Sequence, residues 1–298
     1  MKKKLIFILL LATACQSRPE NPLDPVAYAA EIEHWHEARI NSLKSDNGWL
    51  NLAGLFWLQD GINTFGSDPD NSLVFPEGKI ASKAGFFLVR NGTVHLNVNP
   101  DVEIFSNNTR ISELQIFHPD SIKQPVLTHG SLQWFVIKRD DQLGIRLRDL
   151  KSAEVEQFTG IERYPVDPEW RVVAKLEVPL TPKTIDITNV LGQTIAQKSP
   201  GTLVFDWQKK TYRLDALEEG TELFIIFGDL TNTSETYPAG RYLYAQPPGP
   251  DGTTILDFNK AYNPPCAFTP YATCPLPPPQ NVLPLAVQAG EKNYHGDH

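Results

Sequence analysis

The chain has 298 residues, of which 41% are hydrophobic and 10% aromatic, and its formal net charge is −8. This length suits one large domain or two small ones with a sizeable apolar core. An acidic chain repels phosphate backbones, and no basic patch interleaved with aromatic residues is present, so we expect no nucleic-acid partner.

The first residues have the pattern of an export signal. Three lysines at positions 2–4 precede an apolar run at positions 5–11, which is too short to span a bilayer. Positions 11–15, LATAC, resemble a bacterial lipobox, whose cysteine becomes the acylated first residue. We therefore predict a lipoprotein signal peptide over residues 1–14 and lipidation of Cys15, with an ordinary cleaved signal as the alternative. The predicted location is the bacterial cell envelope, and Gln16 favours the outer membrane because aspartate there often marks retention in the inner membrane.

Residues 15–23 are predicted to be a polar tether, and helix signals follow at once. Asp24 can cap a helix, Pro25 suits its first position, and apolar side chains recur near helical period up to about residue 45. We predict an N-terminal helix over residues 24–46.

From Gly48 onward the pattern changes to short alternating runs interrupted by glycine and asparagine, which predicts β-strands. Apolar runs at 86–89 and 93–96 flank Asn91-Gly92, the strongest two-residue hairpin signal, and residues 131–138 and 144–148 form another predicted hairpin. About a dozen strands favour a mainly β fold, an antiparallel sandwich or barrel-like sheet with one N-terminal helix. The expected organisation is a single β-rich domain over 47–298, or two lobes that meet near the turn-rich segment 164–170.

Residues 257–291 are the most unusual stretch, because they hold eight of the 25 prolines and two of the three cysteines. Such a segment has few ladder hydrogen bonds of its own, and its aromatic residues supply the apolar area with which it would pack. We predict a stiff, proline-rich C-terminal strap across a β-sheet.

Cys266 and Cys274 lie within this strap. In an exported, oxidising setting a disulfide is the default. A metal site and a reactive thiol are the alternatives, although the spacing matches no standard zinc motif. No cofactor and no metal are predicted.

Polar side chains of the strap and of the loop 229–241 form the candidate site. Asp229 and Asp257 each follow a predicted strand, so they could converge and divide acid and base roles, and Arg241 could pair with either or clamp an anion. The catalytic candidates are Asp257, Asp229, Glu235 and Arg241, and the ligand-binding candidates are Asn259, Tyr262, Asn263, Asn281, Glu291, Thr231 and Tyr237. The plainer alternative is that these groups satisfy backbone groups in turns.

Common catalytic signatures are missing from the sequence, which has no GxSxG, Walker A, GxGxxG or HExxH motif. We therefore favour binding of a small molecule or glycan at the polar site of the strap and the 229–241 loop. The alternatives are a hydrolase that uses Asp257 with Asp229 or Glu235, and a metal site at Cys266 and Cys274.

Four stretches carry a resemblance to a known family: DFNKAYNPPCAFTPYATCPLPPPQNVLPLAVQAGE, FGDLTNTSETYPAGRYLY, YPVDPEWRVVA and GWLNLAGLFWLQDGINTFGSD. Over roughly residues 29–291 they are similar to an uncharacterised bacterial and archaeal family, the domain of unknown function 1684. That family has no established activity, so the resemblance implies where the site lies and leaves its chemistry open. Its relatives that look cytosolic also carry the cysteine pair, which keeps the metal and thiol alternatives open.

Overall fold

A computed structural model describes residues 23–139 and 141–294. The protein is mainly β: 42% of the described residues lie in strands and 14% in helices, and the sheets are antiparallel apart from one short pair. This confirms the predicted fold class. No helix in the described ranges is long and apolar enough to cross a membrane. The predicted signal peptide and Cys15 lie outside the described residues.

The helices of the described part are α1 (Pro25–Lys44) and α2 (Ala153–Gln157). The strands, in chain order, are β1 (Leu52–Trp57), β2 (Gly61–Gly66), β3 (Leu73–Val74), β4 (Gly85–Arg90), β5 (Thr93–Val98), β6 (Ile104–Ser106), β7 (Thr109–Ile111), β8 (Glu113–Phe117), β9 (Leu127–His129), β10 (Leu132–Arg139), β11 (Gln142–Asp149), β12 (Arg171–Glu177), β13 (Lys183–Thr188), β14 (Thr194–Ser199), β15 (Gly201–Trp207), β16 (Lys210–Glu219), β17 (Glu222–Phe227), β18 (Arg241–Ala245) and β19 (Thr253–Asp257). As expected, Asp24 caps α1, because its carboxylate accepts a hydrogen bond from the backbone N–H of Val26 at 2.9 Å.

The first half of the chain forms two facing sheets. One has the strand order β1-β11-β10-β9-β6-β7 and the other β3-β2-β4-β5-β8, and Phe65, Phe87 and Trp134 lie in the core that they share. The predicted hairpin at Asn91-Gly92 is confirmed: β4 pairs with β5, and both turn residues have positive φ, 51° and 71°. This turn matches the right-handed twist of the strands that it joins.

Strand β11 presents different chemistry on its two faces. Ile145 and Leu147 enter the core of the first half, so strand alternation puts Arg146 and Arg148 on the opposite face. Its pairing with β10, Phe135 opposite Arg146, confirms the second predicted hairpin. The outer face of this sheet therefore carries buried arginines.

The second half is built on a six-stranded sheet, β18-β17-β16-β15-β12-β19, which curls into half a barrel. Phe205, Ile225, Phe227 and Phe258 fill its concave side, and the β13-β14 hairpin covers a smaller apolar cluster. The cores of the two halves use separate residues. The division of the chain into one domain or two lobes stays a prediction.

The proline-rich strap contains no strand after β19, and it runs as loops and short 3₁₀ turns. Single bridges join it to the sheets, among them Asn189 with Pro275 and Tyr242 with Tyr262. Near its end the backbone passes so close to residue 261 that a Cβ on Gly290 would lie 2.4 Å from the Ala261 carbonyl oxygen. Gly290, at φ 76°, therefore suits this position in a way that other residues do not.

Candidate functional site

The loop after β17 and the end of the strap meet at a buried ion pair. Arg241 donates to Asp229 at 2.9 Å, and neither side chain is exposed to solvent. The same guanidinium also donates to the carbonyl oxygens of Val287, Ala289 and Glu291. Arg241 thus fastens the strap to the edge of the half-barrel, which is a structural task.

The remaining acceptor capacity of Asp229 is also used within the protein. Its Oδ1 accepts from the backbone N–H and the hydroxyl of Thr231, at 2.8 and 2.6 Å, and from the N–H of Val287. A carboxylate that is buried and saturated in this way has no oxygen left for a substrate.

Asp257 lies elsewhere, beneath helix α1. Its Oδ1 accepts a hydrogen bond of 2.6 Å from the hydroxyl of Tyr28, and Lys260 lies 4.0 Å from its other oxygen. Burial and the neighbouring Asp257 carboxylate raise the pKa of Tyr28 above its usual value. Among the described residues, none hydrogen-bonds to both Asp257 and Asp229. The predicted convergence of the two carboxylates therefore has no bridging contact in the structure.

Glu235 is exposed and accepts from the hydroxyl of Tyr164 at 2.9 Å. Burial and this carboxylate raise the pKa of Tyr164 to about 12. Glu291 is buried and joins α1 to the strap, because Arg39 and the backbone N–H of Asn263 both donate to its carboxylate.

The predicted amide and hydroxyl ligands are mostly occupied by backbone partners. Asn259 bonds to both the N–H and the carbonyl of Asp167, and Asn281 bonds to the N–H and the carbonyl of Asp215. Asn263 donates to the carbonyl of Lys292. Thr231 is buried and Tyr237 packs beside the strap. These contacts are of the kind that satisfies backbone groups in loops.

Cys266 and Cys274 form a disulfide, eight residues apart in sequence. The bond closes a small loop of the strap, which the chain-entropy model credits with roughly 2.5 kcal/mol. Within residues 23–139 and 141–294, no three His, Cys, Asp or Glu side chains are grouped so that they could hold a metal ion.

A cavity of about 420 Å³ lies between the strap and the outer face of the first sheet. We call it the strap cavity. Tyr262, Pro265 and residues 272–275 line it from the strap, and Trp49, Arg139 and Arg146 line it from the other half of the chain. The disulfide therefore holds one wall of this cavity.

The strap cavity combines aromatic rings with arginines. Tyr244 stacks on Tyr262 with ring centroids 6.1 Å apart and planes 11° apart, and Arg39 lies over the Tyr262 ring at 4.7 Å. Arg146 lies 5.7 Å from the ring centroid of Trp49. Flat apolar surfaces beside donors are the usual lining of small-molecule sites.

Behind the stacked tyrosines runs a second groove, of about 520 Å³, which both rings also line. Asp257, Glu31 and Lys260 lie along it, and Lys260 donates to Glu31 at 2.6 Å. Of the sequence-derived site residues, Asp257 and Tyr262 border this groove, and Tyr262 and Cys274 border the strap cavity.

Arg39, Trp49 and Arg146 were not among the site residues predicted from the sequence, although Trp49 lies in one of the stretches that carry the family resemblance. One signal was present: positions 146 and 148 are both arginine in a strand whose neighbouring positions are apolar. Charged residues on one face of a strand near the middle of a domain indicate a polar interface or a ligand site.

The family model described as protein of unknown function (DUF1684) matches residues 156–292. The solution NMR structure of an uncharacterized protein from gene locus rrnAC0354 of Haloarcula marismortui is 35% identical, over 47% of this chain and 79% of that one, with a TM-score of 0.39. The chain belongs to this uncharacterised family. The part of the expected resemblance that lies upstream of residue 156 stays a prediction.

Two further solved structures are less similar. The FHA-2 domain from the Mycobacterium tuberculosis ABC transporter Rv1747 is 21% identical, over 30% of this chain and 77% of that one, with a TM-score of 0.23. The FhaA FHA domain complexed with the intracellular domain of Rv3910 is 16% identical, over 32% and 97%, with a TM-score of 0.23. No curated protein matches the chain.

Proposed function

We propose that this family member is a binding protein, and that its ligand, a small molecule or one unit of a glycan, occupies the strap cavity. The observation that carries the proposal is the cavity itself. Its volume of about 420 Å³ lies in the range of roughly 300–1,000 Å³ that ligand pockets have.

The walls of the strap cavity are held firmly, which favours a binding role. The Tyr242 hydroxyl donates to the Pro275 carbonyl at 2.8 Å, and the Cys274 carbonyl accepts from the N–H of Val190 at 3.0 Å. Together with the disulfide, these contacts order the strap before a ligand arrives. A preordered site loses less conformational entropy on binding.

The aromatic lining gives the strap cavity apolar surface. Tyr262 and Tyr244 both line it, and their hydroxyls give each ring a polar end. Burial raises the pKa of both phenols, for Tyr244 to about 12, so both stay protonated at neutral pH. The Tyr262 hydroxyl bonds to that of Tyr244, which in turn bonds to Glu219, so the two rings are held in place.

The paired-carboxylate hydrolase has weaker support than the binding role. Asp229 accepts hydrogen bonds from Arg241 and Thr231. Glu235 accepts one from Tyr164, and within the described part of the chain no hydrogen bond joins it to the surroundings of Asp257. A general acid and base must both reach the reacting group, and these side chains face different surroundings.

A crystallographic fragment screen tests the proposed function. Crystals are soaked with neutral sugars, neutral aromatic compounds, and small organic anions and cations. We expect fragments to collect in the strap cavity, and Thr273→Trp to remove them because the indole would fill the space. The exposed change Thr181→Trp is the matched control. Fragments that bind other surfaces of the parent while avoiding the strap cavity would overturn the proposal.

We further propose that Cys15 carries a lipid anchor which tethers the binding domain to an envelope membrane. The lipobox-like positions 11–15 support this. Palmitate labelling of the full chain in a bacterial host tests it: label should enter the parent and be lost in Cys15→Ser. Equal labelling of both forms, or of neither, would contradict the anchor.

A further inference from the structure

We propose that the ligand of the strap cavity carries a carboxylate or phosphate group, and that Arg146 binds it. This inference deepens the proposed function and rests on it.

Arg146 differs from the other buried arginines because it has no hydrogen-bond acceptor among the described residues. It is only 7% exposed, yet in the described ranges no carboxylate, side-chain oxygen or carbonyl accepts a hydrogen bond from it. The Nε atoms of Arg146, Arg148 and Arg241 are all buried without a partner, so the difference lies in the other two nitrogens of each guanidinium. Arg241 by contrast has Asp229 and three carbonyls, and Arg148 donates to the Gly48 carbonyl and to Asn51. A buried charge is normally paired, so an unpaired one aimed into a cavity points to a partner from outside the chain.

The direction of Arg146 is dictated by its strand. Ile145 and Leu147 occupy the core on one side of β11. Because side chains alternate along a strand, Arg146 points to the opposite side, where the strap cavity lies. Trp49 covers the guanidinium at 5.7 Å from the ring centroid. Because the ring lies over the face of the guanidinium, the edges, where the N–H groups point, stay uncovered by Trp49. These edges fit the two oxygens of a carboxylate or phosphate.

The surrounding charges favour an anion as well. Arg139 also lines the strap cavity. Burial, followed by the charges of Arg139 and Arg148, lowers the pKa of Arg146 to about 10. The side chain therefore remains charged at neutral pH. Arg39 contributes a third guanidinium, whose charge Glu291 balances. Glu219 is the acidic residue of the lining, and it is exposed and bonded to Tyr244.

The test uses two matched pairs of probes with the full chain purified in detergent. Benzoate is compared with benzamide, and phenyl phosphate with phenol, by isothermal titration. We expect an anion of at least one pair to bind ten-fold or more tightly than its neutral partner. The pair with the larger difference in affinity shows whether the strap cavity prefers a carboxylate or a phosphate.

Variants of Arg146 test whether this residue causes the preference for anions. Arg146→Met should remove the preference for the anion and leave binding of the neutral probe unchanged, and Arg146→Lys should retain part of the preference. Arg213→Met removes an exposed arginine outside the strap cavity and should change nothing. Circular dichroism checks that each variant is folded.

The outcomes separate the two proposals. Fragments in the strap cavity with no preference for anions, or a preference that survives in folded Arg146→Met, would overturn this inference and leave the binding function standing. A strap cavity that takes no fragment at all would overturn both.

Discussion

Replacing Arg146 by methionine should stabilise the protein, because this arginine is charged, buried and unpaired. Burial lowers its pKa from the ordinary value of an arginine to about 10, and each pKa unit corresponds to ~1.4 kcal/mol. Keeping the side chain charged therefore costs the folded state about 3 kcal/mol. The unfolded chain holds the proton to higher pH than the folded chain, so this cost is constant at neutral pH and falls only above about pH 10.

Methionine keeps the length of the side chain and can still pack against Trp49 through its thioether. The lost cation–π contact offsets about 1 kcal/mol of the gain. We expect the free energy of unfolding to rise by about 1–3 kcal/mol, which raises Tm by about 2–6 °C for a chain of this size. Thermal unfolding of parent and variant at pH 7.5, followed by circular dichroism, measures the change.

Arg148 provides the matched control, two positions along the same face of β11. It is equally buried, but it donates to Gly48 and Asn51. Arg148→Met would leave those two acceptors unsatisfied and should lower stability by about 1–3 kcal/mol. If both variants lose stability to a similar extent, Arg146 is an ordinary structural arginine and the reasoning about its unpaired charge is wrong.

Three further predictions concern the frame around the strap cavity. Asp229→Asn leaves Arg241 buried without its counter-charge and should lower the free energy of unfolding in urea by about 3–5 kcal/mol. Glu177→Gln breaks an exposed ion pair and should have little effect. Equal losses of stability in the two variants would contradict the structural role of the buried pair. Reduction of the disulfide should lower the free energy of unfolding by roughly 2.5 kcal/mol and weaken fragment binding in the strap cavity, and unchanged binding would show that the disulfide does not order that wall. Burial lowers the pKa of His36 below 6.5, so the folded state resists its protonation and loses stability as the pH falls below 6.5. In Tm measurements from pH 8 to 5, His36→Gln should therefore lose less stability at acid pH than the parent. Curves of Tm against pH that run parallel for parent and variant would refute the assignment.

Local signals predicted much of the fold. Asn91-Gly92 specified its hairpin because a two-residue turn with positive φ fits few other residues. Asp24 and Pro25 likewise marked the start of α1. The density of proline correctly excluded strands from the region after β19. In each case, residues within a few positions of one another determine the outcome.

The candidate site was harder to predict, because it depends on contacts between distant parts of the chain. The sequence suggested that Arg241 pairs with Asp229 or Asp257, and the structure pairs it with Asp229. Asp257 instead meets Tyr28, which lies 229 residues earlier. The apolar run that carries Arg146 signalled a strand, but nothing local shows that its outer face meets the strap. Long-range packing of this kind decides whether a polar group is satisfied or left for a ligand.

The most direct measurement is a crystal structure of the protein soaked with benzoate and, separately, with phenyl phosphate. We expect density for an anion in the strap cavity, with two of its oxygens about 2.7–2.9 Å from nitrogens of Arg146 and its ring beside Tyr262 or Trp49. An anion bound elsewhere, or a guanidinium that has turned to a protein acceptor and closed the space, would contradict it.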